Sequence, residues 1–300
     1  RKNDHTFLPL SQKNGADVKR QCGYLHGKNK RECQSLDWSD AVLKTKLERV
    51  AATIQQINNG AGPDILLLQE VENYAILERL NKEFLLPSNY QIIHFESKDR
   101  RGIDVAVLTR LKQSELPKYH EIPFKKGFDT RGIMECTFYL PNHDELTLFV
   151  MHLPAQMAPL VYRQKSMRFV TMLAQRLPKE RLVVAGGDTN ISSKEEKDSE
   201  ILKKFAEPYW KVSHKIGCKN CKGTFFFGKD QSWSFFDMFF FSGNLVDGPS
   251  RWRVNRGSIR LANQLPFQTT ADKTPQAYDP PDFKGVSDHF PLYAEIEKTR

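Results

Sequence analysis

The chain lacks any apolar run approaching the ~18–20 residues that a membrane-spanning helix requires. Its longest apolar stretches, Leu146–Leu153 and Phe235–Phe241, are strand-sized. The opening Arg1-Lys2-Asn3-Asp4-His5 has no apolar core of a secretory signal, so an exported protein would already have lost one. Repeats, low-complexity linkers and a visible domain boundary are also missing, and one domain over residues 1–300 is expected. Cysteine is scarce, with five in 300 residues. Cys218-Lys-Asn-Cys221 has the spacing of half a zinc ribbon, but no second pair completes four ligands. Cys22, His26 and Cys33 match no standard zinc spacing, and no thioredoxin-like strand and helix flank the Cys218 pair. Two short-range disulfides, Cys22–Cys33 and Cys218–Cys221, are the simpler expectation, with Cys136 buried alone in a strand. They imply an oxidising compartment, hence a secreted or periplasmic protein. Five reduced thiols in a cytoplasmic protein is the alternative.

What is present is basic and core-forming. Lys and Arg number 45 against 36 Asp and Glu, a net charge of +9, and hydrophobic residues make up 39% of the chain. That composition excludes global disorder. The positive charge favours a polyanionic partner, nucleic acid or an anionic lipid surface. Because the basic residues are spread along the chain, a merely solubilising surface explains them equally well.

Residues 1–39 are polar and aperiodic, and read as an irregular surface segment. Leu43, Leu47, Val50, Ile54 and Ile57 then mark one face of a helix, capped by Ser39 or Asp40 and ended by Asn58-Asn59-Gly60. The continuous run Ile65–Leu68 predicts a strand covered on both faces, ending in Gln69-Glu70. A helix carrying Leu77, Leu80 and Phe84 follows. Strands are expected at Tyr90–Phe95, Ile103–Thr109, Ile133–Leu140, Leu146–Leu153, Leu182–Ala185, Phe235–Phe241 and Phe290–Ile296. Val170, Leu173 and Leu177 predict a helix, and Ser192–Lys204 a solvated helix or loop. The sum is a mixed α/β domain with its strands in two packed sheets.

Chemistry-bearing residues cluster at strand ends, where loops build sites on such scaffolds. Glu70 emerges after four apolar residues; alone it is an ordinary exposed glutamate. His152 closes an apolar strand, a position that more often holds a hydrogen-bonded structural histidine. Gly186-Gly187-Asp188-Thr189-Asn190 allows a tight backbone and sets Asp188 and Asn190 to one side, although an Asx-capped turn explains it as well. Asp237 interrupts a phenylalanine-rich strand, so its carboxylate needs a partner, and a histidine would serve. Ser287-Asp288-His289 offers an acid and an imidazole before the last strand. Together these residues fit a metal-assisted hydrolytic site.

The segments Asp64–Glu70, Arg101–Leu108, His152-Leu153, Gly187–Asn190, Phe236–Met238 and Ser287–His289, in this order, resemble the motif series of the endonuclease/exonuclease/phosphatase superfamily. The likeness runs over about residues 40 to 297. It implies a four-layer α/β sandwich, two packed mixed β-sheets flanked by helices, and Mg²⁺- or Mn²⁺-dependent hydrolysis of phosphate esters. Carried over, Glu70 is the main metal ligand, with Asp288 assisting. His289 is the general base, oriented by Asp237. Asp188 and Asn190 position the nucleophile or a phosphate oxygen, and His152 donates to the phosphate or leaving oxygen. Arg101 and Arg131 neutralise phosphate charge.

Two departures stand out. The family usually opens with a core strand bearing an Asn; here Asn3 is a poor substitute, and the missing strand is expected upstream of this chain. Thr189 stands where the family often has an aromatic or large apolar residue. The leading expectation is a monomeric metal-dependent nuclease acting on nucleic acid. A sphingomyelinase-like or inositol-phosphate phosphoesterase is the alternative, with Gly223–Gly228 either an exposed membrane-contacting loop or a buried edge strand. A catalytically inactive nucleic-acid- or protein-binding member is the third.

Overall fold

The computed structural model describes residues 5–99 and 101–299, so Asn3 lies outside the described residues. The first forty residues are not irregular as expected. They contain two short helices, α1 (Ala16–Gly23) and α2 (Gly27–Ser35), joined by a Cys22–Cys33 disulfide. Val18 and the two cysteines are buried against Leu8 and Leu25 in a small core of their own. So few apolar side chains give no readable period, and the cross-link supplies stability that burial this small does not.

α3 (Asp40–Gln55) follows with the expected apolar face. Ser39 takes the N-cap position without a side-chain cap bond, and Asp40 pairs instead with Arg79 at 2.6 Å. Asn58 and Asn59 adopt left-handed φ values of 54° and 52° and turn the chain into β1 (Ile65–Val71). Next come α4 (Tyr74–Arg79), β2 (Gln91–His94), β3 (Asp104–Thr109) and β4 (Lys118–His120). β5 (Ile133–Tyr139), β6 (Glu145–His152), α5 (Leu160–Gln175) and β7 (Leu182–Asp188) form the centre. The charged stretch after it folds as α6 (Ser193–Ser199) and α7 (Ile201–Phe205), the latter burying Ile201 and Leu202. β8 (Trp210–Val212), α8 (Ser213–Ile216), β9 (Phe225–Phe227), β10 (Ser232–Ser234), β11 (Asp237–Ser242), β12 (Trp252–Leu261) and β13 (Leu292–Lys298) complete the chain.

One sheet has the order β4-β5-β6-β7-β11-β8. Facing it are a three-stranded sheet, β1-β3-β2, and the pair β12-β13. The core between the layers holds Val105, Val107, Met134, Leu148, Val184 and Trp252 among others. A second core packs α5 and α7 on the outer face of the six-stranded sheet, and a third packs α3 and α4 on β1 and β3. The result is the expected four-layer α/β sandwich. β1 is covered on both faces: Ile65 and Leu67 point to the central core, Leu66 and Leu68 to α3. All four remain partly exposed, because β1 pairs only with β3 and β13 only with β12 among the described residues.

β12, ten residues long, is the longest of the strands absent from the sequence expectations, with β4 and β8 among the short ones. Its inward alternation, Trp252 and Val254, breaks where the register with β13 shifts between Asn255 and Arg260, and resumes at Ile259. Gly223–Gly228 forms part of a hairpin, β9 with β10, rather than an exposed loop. Phe225 stacks on Phe236 at 4.9 Å, and Phe226 packs on Trp233 at 5.1 Å.

Candidate active site

Three neighbouring strands end at one place. β6 and β7 run parallel with His152 opposite Asp188, and β11 runs antiparallel to β7 with Asp237 opposite Asp188. The sequence permits this because β7 ends in two glycines. A Cβ on Gly187, whose φ is 134°, would lie 1.9 Å from the Met151 carbonyl oxygen. One on Gly186 would lie 2.8 Å from Phe239 and 2.9 Å from Leu67. At Gly187 the β6 main chain leaves no room for a side chain, and at Gly186 the Phe239 and Leu67 side chains fill that room.

Beyond β7 the chain turns sharply. Asn190, at φ 52°, donates its amide to Asp188 Oδ1 at 2.7 Å and its side-chain Nδ2 to the Leu153 carbonyl at 3.1 Å. The Asx turn and the clustering of Asp188 with Asn190 thus both hold. Thr189 donates backbone N and Oγ1 to the Phe236 carbonyl, tying the ends of β7 and β11 together. The buried Thr224 Oγ1 accepts from the amides of Phe236 and Asp237, both at 3.0 Å. Its carbonyl accepts from Phe290, so one threonine anchors the neighbours of both Asp237 and His289.

The expected partner of Asp237 is His289, with Nδ1 2.7 Å from Asp237 Oδ2. Burial works against a charged imidazole there. The carboxylates of Asp237, Asp188 and Asp288 nonetheless lift His289 to about 10. Burial and the Asp237 charge raise Asp188 to about 7. His152 is 5% exposed, and burial, with Arg131 and Arg101 nearby, lowers its pKa well below the usual value. It is a neutral imidazole whose Nε2 lies 3.4 Å from Asp188 Oδ2 and whose buried Nδ1 has no partner. A cationic histidine, a near-neutral carboxyl and a neutral histidine thus stand side by side.

The two arginines separate. Arg131 is buried and engaged from behind: Nε donates to the His152 carbonyl at 3.2 Å and Nη2 to the Leu153 carbonyl at 2.9 Å. Nη1 bonds Asp99. Its bonds fix the end of β6 and with it the position of His152. Arg101, with half its side chain exposed, chelates Asp99 through Nε and Nη2, both at 3.1 Å. Burial alone would raise Asp99; bonds from Arg101 and Arg131 hold it down at about 2. Asp99, Arg101, Phe128, Arg131, Pro154 and Met157 line a cavity of about 320 Å³ beside this cluster.

Glu70 sits in a bulge of β1, between Gln69 opposite Val105 and Val71 opposite Asp104, with φ 57°. The bulge turns an exposed carboxylate out of the strand. Asp288 is exposed at the other side. Both charges act on the half-buried Lys46, whose burial brings its pKa down to about 8 while Asp288 and Glu70 oppose the shift. Neither carboxylate has a hydrogen-bond or ion-pair partner among the described residues. Two unpartnered carboxylates on one electrostatic centre fit a hard dication with water ligands. A separate group, His94, Glu96 and Asp104, also brings its ligand atoms within 4.8 Å. There Asp104 is already satisfied by His94 Nε2 at 3.0 Å and the Ser97 amide at 2.7 Å.

The family model for endonucleases, exonucleases and phosphatases matches residues 32–298, from α2 to β13. The chain belongs to this family. Human tyrosyl-DNA phosphodiesterase 2 is 27% identical over 135 residues, covering 44% of this chain and 34% of that protein. The chain thus spans about a third of that relative's length. The structure of D. rerio TDP2 complexed with a single-strand DNA product superposes with a TM-score of 0.62 at 16% identity, over 85% of this chain and 93% of that one. A family protein from Leptotrichia buccalis gives 0.60 at 18%, over 87% and 95%. As a member of the endonuclease/exonuclease/phosphatase family, the chain carries His152, Asp188, Asn190, Asp237 and His289 at converging strand ends. Lys46, Arg49, Asp99 and Thr224 were not singled out from the sequence. Lys46, Arg49 and Thr224 bond main-chain atoms, which leave no side-chain spacing to read, while Asp99 joins its near neighbour Arg101 to Arg131 far along the chain.

Proposed function

We propose that this protein is a divalent-metal-dependent phosphodiesterase whose substrate is nucleic acid. The observation that carries the reading is the row His152, Asp188 and Asp237 on three adjoining strand ends, with His289 bonded to Asp237, beside two unpartnered carboxylates. The family, the DNA-directed names of the relatives and the +9 charge support a nucleic-acid substrate. Packing of the Phe225–Phe227 hairpin removes the exposed apolar loop on which a lipid substrate would depend.

Mg²⁺ or Mn²⁺ bound by Glu70 and Asp288 would supply Lewis-acid polarisation of the phosphate. The protein's own residues divide the rest. The direction of the two shifts favours the reverse of the expected base role. Paired with Asp237, His289 stays protonated at neutral pH and is assigned to stabilising phosphoryl charge. Asp188, with its pKa at about 7, is assigned to accepting the proton of the attacking water. Asn190 holds Asp188 through its amide, His152 donates to a phosphate oxygen, and Arg101 faces the substrate from the neighbouring cavity. The two disulfides support an oxidising, secreted or periplasmic location.

The test is cleavage of supercoiled plasmid and of a single-stranded oligonucleotide in Mg²⁺ and in Mn²⁺, with a chelator control. Metal-dependent cleavage of either is expected. Cleavage of neither, together with hydrolysis of sphingomyelin or an inositol polyphosphate, would contradict the substrate class.

A further inference from the structure

The two carboxylates assigned to the metal stand on segments that share no sheet. Glu70 is on β1, Asp288 leads into β13, and the described residues show no pairing between these strands. α3 touches both sides. Its apolar face, with Leu47, Ala51 and Ile54, packs on β1 and β3.

Its polar face meets the C-terminal segment. The Val42 carbonyl accepts from Tyr278 Oη at 2.7 Å, Lys46 Nζ donates to the Val286 carbonyl, and Arg49 Nη1 donates to the Gly285 carbonyl at 2.8 Å. Positions 42, 46 and 49 fall on one helical stripe. Both cations also lie over rings: Lys46 is 5.1 Å from the centre of Tyr278 and Arg49 5.4 Å from that of Phe267.

The gripped turn is narrow. Gly285 is at φ 69°, and a Cβ there would lie 1.8 Å from the Ala277 carbonyl oxygen. The amides of Val286 and Ser287 both donate to the Gln276 carbonyl. Two cations therefore hold two consecutive carbonyls, separated from Asp288 and His289 only by Ser287.

We propose that Lys46 and Arg49 are positioning residues, tethering the Asp288–His289 loop to α3 and thereby setting the separation of Glu70 and Asp288 for a divalent cation. The proposal rests on the metal reading above. It predicts a sign that charge alone does not. Deleting a cation beside two carboxylates should tighten cation binding by simple electrostatics; deleting a tether should weaken it.

The test is Mn²⁺ affinity, read from the electron paramagnetic resonance of the free ion, with turnover as a second readout. Lys46→Met is expected to weaken Mn²⁺ binding about tenfold and to lower kcat more than it raises KM. Arg49→Met should shift both in the same direction, less strongly. Lys46→Arg, which keeps a donor for the Val286 carbonyl, should recover most of the loss. Thermal unfolding of each variant confirms folding, and Arg49→Met carries the test if Lys46→Met does not fold. Unchanged or tighter Mn²⁺ binding in the folded variants would overturn the tether. His289→Ala should abolish turnover with Mn²⁺ binding intact, which separates failure of the chemistry from failure of the tether. A wild-type chain that binds no Mn²⁺ would refute the metal reading, and the tether with it.

Discussion

Asp188 and His289 are displaced in a way that makes both useful and one of them costly. Asp188 must lose its proton to act as a base, and His289 must keep its own. In Mn²⁺, the rate of phosphodiester cleavage is therefore expected to rise as pH passes about 7 and to fall towards about 10. A bound dication beside Glu70 and Asp288 draws both limbs to lower pH. A flat profile between pH 5 and 9 would contradict the assignment. The same displacement predicts a trade of stability against activity. The folded pKa of Asp188 lies above the unfolded value of 3.8, so ionising it costs stability as pH rises from there through about 7, and the cost persists above. Asp188→Asn should then stabilise the metal-free protein at pH 8 by about 1 kcal/mol or more, read from urea unfolding, while abolishing turnover. The partner of Asp237 was legible in the sequence because a carboxylate among phenylalanines demands one. The work of Arg131 was not, since its acceptors are main-chain carbonyls of a segment twenty residues away.

Strand ends were the most readable elements, and short or interrupted strands the least. β5, β6 and β7 are continuous apolar runs buried on both faces, and the sequence placed each to within a few residues. β12 was hidden by its register shift and by Gly257, and α1 and α2 by a core too small to impose a period. Gly186-Gly187 reads as a tight backbone in the sequence, and in the structure Gly187 lies against the β6 main chain. Gly187→Ala should therefore destabilise the fold by at least about 2 kcal/mol, measured as a shift in the urea midpoint. Wild-type stability in that variant would show that β6 and β7 can separate at little cost. At the unpaired edges, amides of β1 and β13 are expected to exchange with solvent faster than those of β5, β6 and β7, followed by hydrogen–deuterium exchange. Equal protection would mean that the edges are covered in solution.

The molecule as a whole shows how far composition reaches. Charge and apolar content admitted a basic globular protein with a polyanionic partner, and only the order of six short motifs narrowed that to a family. The four-layer architecture follows from strand and helix patterning, but the convergence of His152, Asp188 and Asp237 is a property of sheet order, which no local pattern encodes. The disulfides are a whole-molecule statement as well, because such bonds persist in oxidising compartments. Denatured protein without reductant should titrate one thiol, that of Cys136, and five after reduction; five in both states would remove the argument for an oxidising compartment. The central claim is that phosphodiester cleavage occurs at the joined ends of β6, β7 and β11. Its most direct test is single-turnover cleavage of an oligonucleotide at saturating Mn²⁺ by the wild-type chain, His289→Ala and Asp237→Ala. The account predicts losses of about 100-fold or more for both variants, with Mn²⁺ binding retained; cleavage at the wild-type rate by either would place the chemistry elsewhere.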